Sequence, residues 1–219
     1  MRREYYFFLA FVFIVGYFLF PTNRLHPRKV LYDLNKPKVP VQLFVMSRCP
    51  DAVACESVFG EVLKQTNDIT TIRTNYVATL NDSTAYGASC KHEDIECIGN
   101  IQQLCFRFFY PDQTTFFNFL LCLNRYIPKI GSRDWAMQCS KEVGVDYTPV
   151  DKCANSNHGR NLFIKSVGIT NSYGVTKSCT IYMKGKLRCI KDDSWYDCPG
   201  GHEVNDFVRS IQDAYEGIE

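Results

Sequence analysis

The 219-residue sequence has no dominant sign of charge: 25 Lys and Arg stand against 23 Asp and Glu, a formal net charge of +2. It has no polybasic run either, so a nucleic-acid backbone is excluded as the default partner. Internal repeats are lacking, which removes solenoid and propeller architectures. Low-complexity tracts are lacking too, and with 46% hydrophobic and 22% charged residues the chain is too apolar to be disordered. What remains is one compact domain with an appendage. Cysteine is abundant: eleven residues are too few for a disulfide-only miniprotein and too many for an ordinary cytosolic enzyme. That count points to an oxidising compartment, to metal, or to thiol chemistry.

Tyr5 to Phe20 carries no charge and ends at Pro21. As a helix this stretch rises roughly 24 Å, a little short of the roughly 30 Å hydrocarbon core, which suits a signal peptide or a short membrane anchor at residues 1–20. No small-x-small cleavage site follows; Tyr17, Phe18, Leu19 and Phe20 are bulky, and this favours an uncleaved signal anchor with the remaining chain in the lumen. Arg24, Arg28 and Lys29 outnumber Arg2 and Arg3 and favour the reverse orientation; the cysteine content decides for the lumen. Asn81-Asp82-Ser83 is the only N-x-S/T sequon, so Asn81 is the expected glycosylation site. Residues 21–40 carry four of the nine prolines and read as a stalk.

The folded domain is expected over residues 41–219. Val41 to Val45 reads as an apolar strand, Cys55 to Lys64 puts Val58, Phe59, Val62 and Leu63 on one helical face, and a second strand follows at Ile69 to Ala78. From Cys97 to Val143 the pattern is helical, with further helices predicted over Thr114 to Tyr126 and Arg133 to Val143. A hairpin over Cys179 to Ile190, turning at Lys184-Gly185, precedes an amphipathic helix from Val204 to Tyr215. This order, βαβ, helices, ββα, specifies an α/β thioredoxin-like fold with a helical insertion at about 85–170.

Cys49 follows the first strand directly, where a thiol at a helix N-terminus meets unpaired amides and the positive end of the dipole. Its neighbour Cys55 gives a C-x5-C spacing in place of C-x2-C. A helix starting at Pro50 would put Cys55 about 9 Å up the axis, beyond the roughly 7 Å Cα limit for a disulfide. A redox pair of Cys49 and Cys55 therefore requires a helix start near Ala54; the alternative is a structural disulfide or two separate partners. Arg48 would favour the Cys49 thiolate, whereas Asp51 and Glu56 would oppose it.

Cys90-Lys91-His92-Glu93-Asp94-Ile95-Glu96-Cys97-Ile98-Gly99-Asn100 and, five residues on, Cys105 resemble the signature C-Q-H-G-x-x-E-C-x-x-N-x-x-x-x-C of the gamma-interferon-inducible lysosomal thiol reductase (GILT) family. Cys90, His92, Glu96, Cys97, Asn100 and Cys105 fall in register, while Lys91 and Glu93 replace Gln and Gly. The resemblance spans roughly Val41 to Tyr215 and implies a thioredoxin-like domain that reduces protein disulfides in endosomal or lysosomal compartments with no cofactor beyond its thiols. It makes Cys49 the attacking and Cys55 the resolving cysteine, with three extra residues between them. It also implies a cis-proline at the third strand, where this chain has Cys179 and no proline.

In an oxidised lumen, Cys90, Cys97 and Cys105 with His92 read as paired cysteines in preference to a zinc site. Cys97 and Cys105 cannot bridge each other along a straight helix, so each needs Cys90 or one of Cys122, Cys139 and Cys153. Cys189 and Cys198 are expected to staple the loop between them. Phe106, Phe108, Phe109, Phe116, Phe117 and Phe119 read as core. An odd cysteine number leaves one thiol free or shared between chains in a disulfide-linked dimer; Cys179 is the candidate odd residue, a third thiol of the site, free or bonded to Cys49, and the alternative pairs it with a structural cysteine of the insertion and leaves another thiol odd. The leading function is a membrane-anchored thiol:disulfide oxidoreductase acting on disulfide-containing protein clients in the secretory or endolysosomal lumen. The alternative is a non-catalytic luminal client-binding domain with a structural 49–55 disulfide.

Overall fold

The structure, a computed structural model, describes Tyr32 and residues 36–218. The expected anchor at residues 1–20 and most of the stalk lie outside the described residues, among which no helix is long and apolar enough to cross a membrane. The chain divides into two units, 1–33 and 34–219; the second carries every element below.

Strand β1 (Val39–Val45) leads into helix α1 (Pro50–Thr66) and strand β2 (Thr70–Tyr76), which pairs parallel to β1. Two short strands, β3 (Thr79–Leu80) and β4 (Ala88–Ser89), form a separate ladder. Six helical segments follow: α2 (Glu93–Phe109), α3 (Gln113–Asn124), a 3-10 turn at Ile127–Lys129, α4 (Arg133–Glu142), α5 (Thr148–Ala154) and α6 (Asn157–Ser172). Strands β5 (Thr180–Met183), β6 (Lys186–Asp192) and β7 (Ser194–Tyr196) return the chain to the sheet, and helix α7 (Val204–Glu216) closes it. The sheet order is β2-β1-β5-β6-β7, with β5 antiparallel to β1.

Strand β1 lies inside the sheet, between β2 and β5, and its side chains alternate between two faces. Gln42 and Phe44 meet Tyr173 beyond the end of α6, Phe44 with its ring 5.0 Å away, while Val41, Leu43 and Val45 are buried. Helix α1 packs against α3 and α7, and Phe59 of α1 meets Phe207 of α7 at 4.9 Å. The helical insertion is anchored on β2: the Tyr76 amide donates to Ser166 Oγ of α6 at 2.9 Å, and the Tyr76 hydroxyl donates to Gln103 Oε1 of α2 at 2.6 Å.

Several expectations are corrected. Strand β1 starts at Val39, two residues into the expected stalk. Helix α1 starts at Pro50, not near Ala54, because proline's fixed φ and missing N–H suit the first helical position. The insertion contains α5 and α6 as well as the three expected helices. Of the six phenylalanines expected in the core, Phe106, Phe116, Phe117 and Phe119 are buried, whereas Phe108 and Phe109 are exposed at the end of α2.

Candidate active site

Cys49 is the N-cap residue of α1. A tight turn delivers it: the Cys49 amide donates to Met46 O at 3.0 Å, directly after β1 ends at Val45. The thiol is unpaired and 7% exposed, and its sulfur lies 3.8 Å from the Ser178 carbonyl oxygen, to which it donates. That carbonyl belongs to the peptide bond leading to Cys179, a bond in the cis form. The residue that occupies the expected cis-proline position therefore lies one peptide unit from the candidate nucleophile.

Cys55 is fully buried one and a half turns along α1, and its sulfur is bonded to Cys179, with Cα atoms 6.3 Å apart. The expected Cys49–Cys55 pair is thus not formed. With α1 helical from Pro50, axial rise alone separates the two residues by about 9 Å, and the inward face of the helix aims Cys55 at the sheet. Cys179, expected free or bonded to Cys49, is instead bonded to Cys55, and the odd thiol is Cys49. Strand pairing fixes Cys179 from its other side, since it exchanges two backbone hydrogen bonds with Lys191, at 2.7 and 2.8 Å.

The charges around Cys49 are engaged elsewhere. The Arg48 guanidinium, expected to favour the thiolate, donates to the carbonyls of Pro128 and Ile130 at 3.2 and 2.7 Å. Asp51 forms an ion pair with Lys191; burial pushes this carboxyl up, but the Lys191 hydrogen bond, the Asp193 amide and the charges of Lys191 and Lys91 together hold it below the ordinary range. Glu56 is buried on the side of α1 that faces α3, where Oε2 accepts a hydrogen bond from Asn124 Nδ2 at 2.5 Å. Burial pushes its carboxyl up to about 7, against the opposing effect of Asn124.

Residues 90–105 form the loop before α2 and all but the last four residues of that helix. Cys90 is bonded to Cys97, and Cys105 to Cys153 of α5. Cys122–Cys139 ties α3 to α4, and Cys189–Cys198 staples the loop that contains β7. Glu93, where the resembling signature has glycine, adopts a left-handed backbone with φ of 67°, a conformation costing roughly 1–2 kcal/mol for a residue with a side chain. The turn is therefore kept without its glycine. His92 Nδ1 lies 2.5 Å from Glu96 Oε2, and the His92 amide donates to Glu96 Oε1 at 3.2 Å. Glu96 and Asn100 are fully buried and face the Met46–Cys49 turn: Arg48 N–H donates to Glu96 Oε2 at 3.3 Å and Ser47 N–H to Asn100 Oδ1 at 3.1 Å. Glu96 and Asn100 therefore bond outside their own segment, to the turn that carries Cys49.

Sequence reasoning passed over Ser47, Ser178 and Lys191. Ser178 Oγ accepts the Met46 amide at 2.9 Å, joining the Met46–Cys49 turn to the segment before β5. The one signal available was Pro50, whose place at the first helical position fixes the direction in which Cys55 points. Asn81, the expected glycan site, follows β3; its Oδ1 accepts the Ser83 amide and hydroxyl, and its Nδ2 donates to Ser89 Oγ at 3.1 Å. Among the described residues no group of three or more His, Cys, Asp or Glu side chains is arranged to hold a metal ion.

Residues 40–143 match the family model described as Gamma interferon inducible lysosomal thiol reductase (GILT). No curated protein matches the chain. Among solved structures, the chain resembles a candidate protein disulfide isomerase from Nitrosomonas europaea, with a TM-score of 0.58 and 8% identity over 82% of this chain and 98% of that one. It also resembles DsbA of Pseudomonas aeruginosa, with a TM-score of 0.54 and 13% identity over 82% and 83% of the two chains. The reduced form of the disulfide bond oxidoreductase DsbG from Mycobacterium tuberculosis gives 0.53 and 18%, over 81% and 78%. These likenesses establish a mixed α/β thioredoxin-like, DsbA-like fold.

Proposed function

Because the chain belongs, through residues 40–143, to the gamma interferon inducible lysosomal thiol reductase family, we propose that it is a thiol:disulfide oxidoreductase of protein clients in which Cys49 is the nucleophile and Cys55 and Cys179 are its redox partners. One observation carries this reading: the unpaired Cys49 occupies the N-cap position of α1, and its thiol touches the peptide of Cys179, itself bonded to Cys55. The thiolate is the form of a cysteine that attacks disulfides.

The exchange begins from the state in which Cys55 and Cys179 are both thiols. Cys49 thiolate attacks one sulfur of a client disulfide; a Cys49–client bond forms and one client thiolate leaves. Cys179 or Cys55, as thiolate, then attacks the Cys49 sulfur and releases the second client thiolate. The remaining thiol of the three displaces Cys49, leaving Cys55–Cys179 oxidised and Cys49 free. Two electrons and two protons pass to the client, and a low-molecular-weight thiol or dithiol returns the pair to its reduced state. The family and the cysteine content support a secretory or endolysosomal lumen, with residues 1–20 as the membrane anchor and Asn81 as a glycan site.

Trapping tests this reading. The double variant Cys55→Ser/Cys179→Ser, which keeps the nucleophile and lacks both resolving thiols, is expected to accumulate mixed disulfides with a disulfide-containing protein. Cys49→Ser is expected to accumulate none. Equal trapping by the two, or none by either, removes the case for catalysis. The second reading, a non-catalytic client-binding domain, is favoured by the 7% exposure of Cys49 and predicts that last outcome, with Cys55–Cys179 as its structural bridge in place of the expected 49–55 bond.

A further inference from the structure

We infer that the signature segment on α2 is a clasp that holds the nucleophile turn, and that Glu96 and Asn100 are positioning residues for Cys49; the inference rests on the reading of Cys49 as nucleophile. Residues four apart on a helix lie on one face, and Glu96, Gly99 and Asn100 form such a face, turned toward Ser47, Arg48 and Cys49. The two backbone N–H groups immediately before Cys49 are both satisfied from this face, Ser47 by Asn100 Oδ1 and Arg48 by Glu96 Oε2. Ser47 Oγ donates back to the Glu96 carbonyl at 3.3 Å. Gly99 permits the close approach, since a Cβ there would lie 2.8 Å from Ser47 Oγ and 2.8 Å from Ile130 Cγ2.

The clasp is itself braced. His92, four residues before Glu96, contributes its backbone N–H to one carboxylate oxygen and its ring nitrogen to the other. Cys90, bonded to Cys97, lies 3.7 Å from Asn100 Nδ2, which donates to its sulfur. The C-x-H-x-x-x-E-C-x-x-N spacing thereby acquires a physical meaning: the disulfide pins the loop to the first turns of α2, His92 orients Glu96, and Glu96 and Asn100 grip the turn. Disulfide exchange requires an aligned approach of the attacking sulfur to one sulfur of the client bond. A turn anchored at the Ser47 and Arg48 amides fixes that approach more tightly than the N-cap position alone.

The test separates acceptor geometry from mere stability. Glu96→Gln and Asn100→Asp keep an oxygen acceptor in place, whereas Glu96→Ala and Asn100→Ala remove it. Two readouts are taken on the full chain at a temperature where every variant is folded. The first is hydrogen exchange at the Ser47 and Arg48 amides, which is expected to speed up roughly tenfold at the corresponding amide in each alanine variant and to be restored by Gln or Asp. The second is the rate at which Cys49 forms a mixed disulfide with a disulfide-containing peptide, in the Cys55→Ser/Cys179→Ser background. This rate is expected to fall roughly tenfold in the alanine variants and to stay within about threefold of the parent in the conservative ones. Unchanged amide exchange in the alanine variants overturns the clasp. Faster exchange with an unchanged mixed-disulfide rate overturns the positioning role. A parent that forms no mixed disulfide, while its amides respond as described, defeats the nucleophile reading and leaves the clasp standing.

Discussion

Glu56 is the residue whose ionisation couples most directly to folding. Its carboxyl is buried, and desolvation raises it to about 7 from an ordinary value of 4.5. The native state therefore holds a proton that the unfolded chain releases between these values, so this contribution is largest below the lower value and is lost as pH rises through about 7. Asp51, Asp112 and Asp146 are shifted the other way, below 3.8, and are ionised in both states throughout that window. From pH 7.5 to pH 5 the folding stability is expected to increase by roughly 2 kcal/mol. Denaturant unfolding at the two pH values measures it, and Glu56→Gln is expected to flatten the dependence; a Glu56→Gln profile parallel to that of the wild type contradicts the assignment.

Two glycines in helices make the clasp testable at the level of the element, because their surroundings predict opposite signs for the same substitution. Gly99 of α2 has Ser47 Oγ and Ile130 Cγ2 where a Cβ would go, whereas Gly168 of α6 has nothing within 4 Å. Gly168→Ala is expected to stabilise by about 1 kcal/mol through helix propensity alone. Gly99→Ala gains the same propensity but overpacks the turn and is expected to destabilise by about 1 kcal/mol net. Thermal unfolding of both variants checks the pair, and a rise in Tm for Gly99→Ala means that α2 has room to move away from the turn. Elements with a strong apolar period were legible in the sequence: β1, β2, the β5–β6 hairpin, α3, α4 and α7 appear within a few residues of their expected bounds. Helices α5 and α6 were not. The stretch from Asn155 to Gly159 is polar, and the buried positions of α6, Gly159, Phe163, Ser166, Val167 and Thr170, include two hydroxyl residues that carry no hydrophobic signal. The Cys189–Cys198 staple was readable because its ends lie only nine positions apart. Cys55–Cys179 spans 124 residues, and it depends on where α1 begins; one proline at the first helical position turned Cys55 inward and left Cys49 unpaired.

For the whole molecule, the two halves of the site come from opposite ends of the folded chain and meet only because β5 inserts beside β1. Strand β1 and α1 supply Cys49 and Cys55, the segment before β5 supplies Ser178 and Cys179, and the insertion supplies Glu96 and Asn100. The other four disulfides tie segments of the insertion, or the β7 loop, without touching these three cysteines, so they provide a frame that need not change redox state in turnover. The central claim is that electrons leave the chain through Cys49 and are drawn from the Cys55–Cys179 pair. A single-turnover experiment addresses it directly: protein with Cys55–Cys179 selectively reduced and the other four bridges intact is mixed with one equivalent of a disulfide-containing protein, quenched by alkylation, and mapped by mass spectrometry. The account predicts two new client thiols, a re-formed Cys55–Cys179 bond and an alkylated Cys49, with a Cys49–client disulfide at early times. A client left oxidised, or reduced with the new bond formed outside Cys49, Cys55 and Cys179, would contradict it.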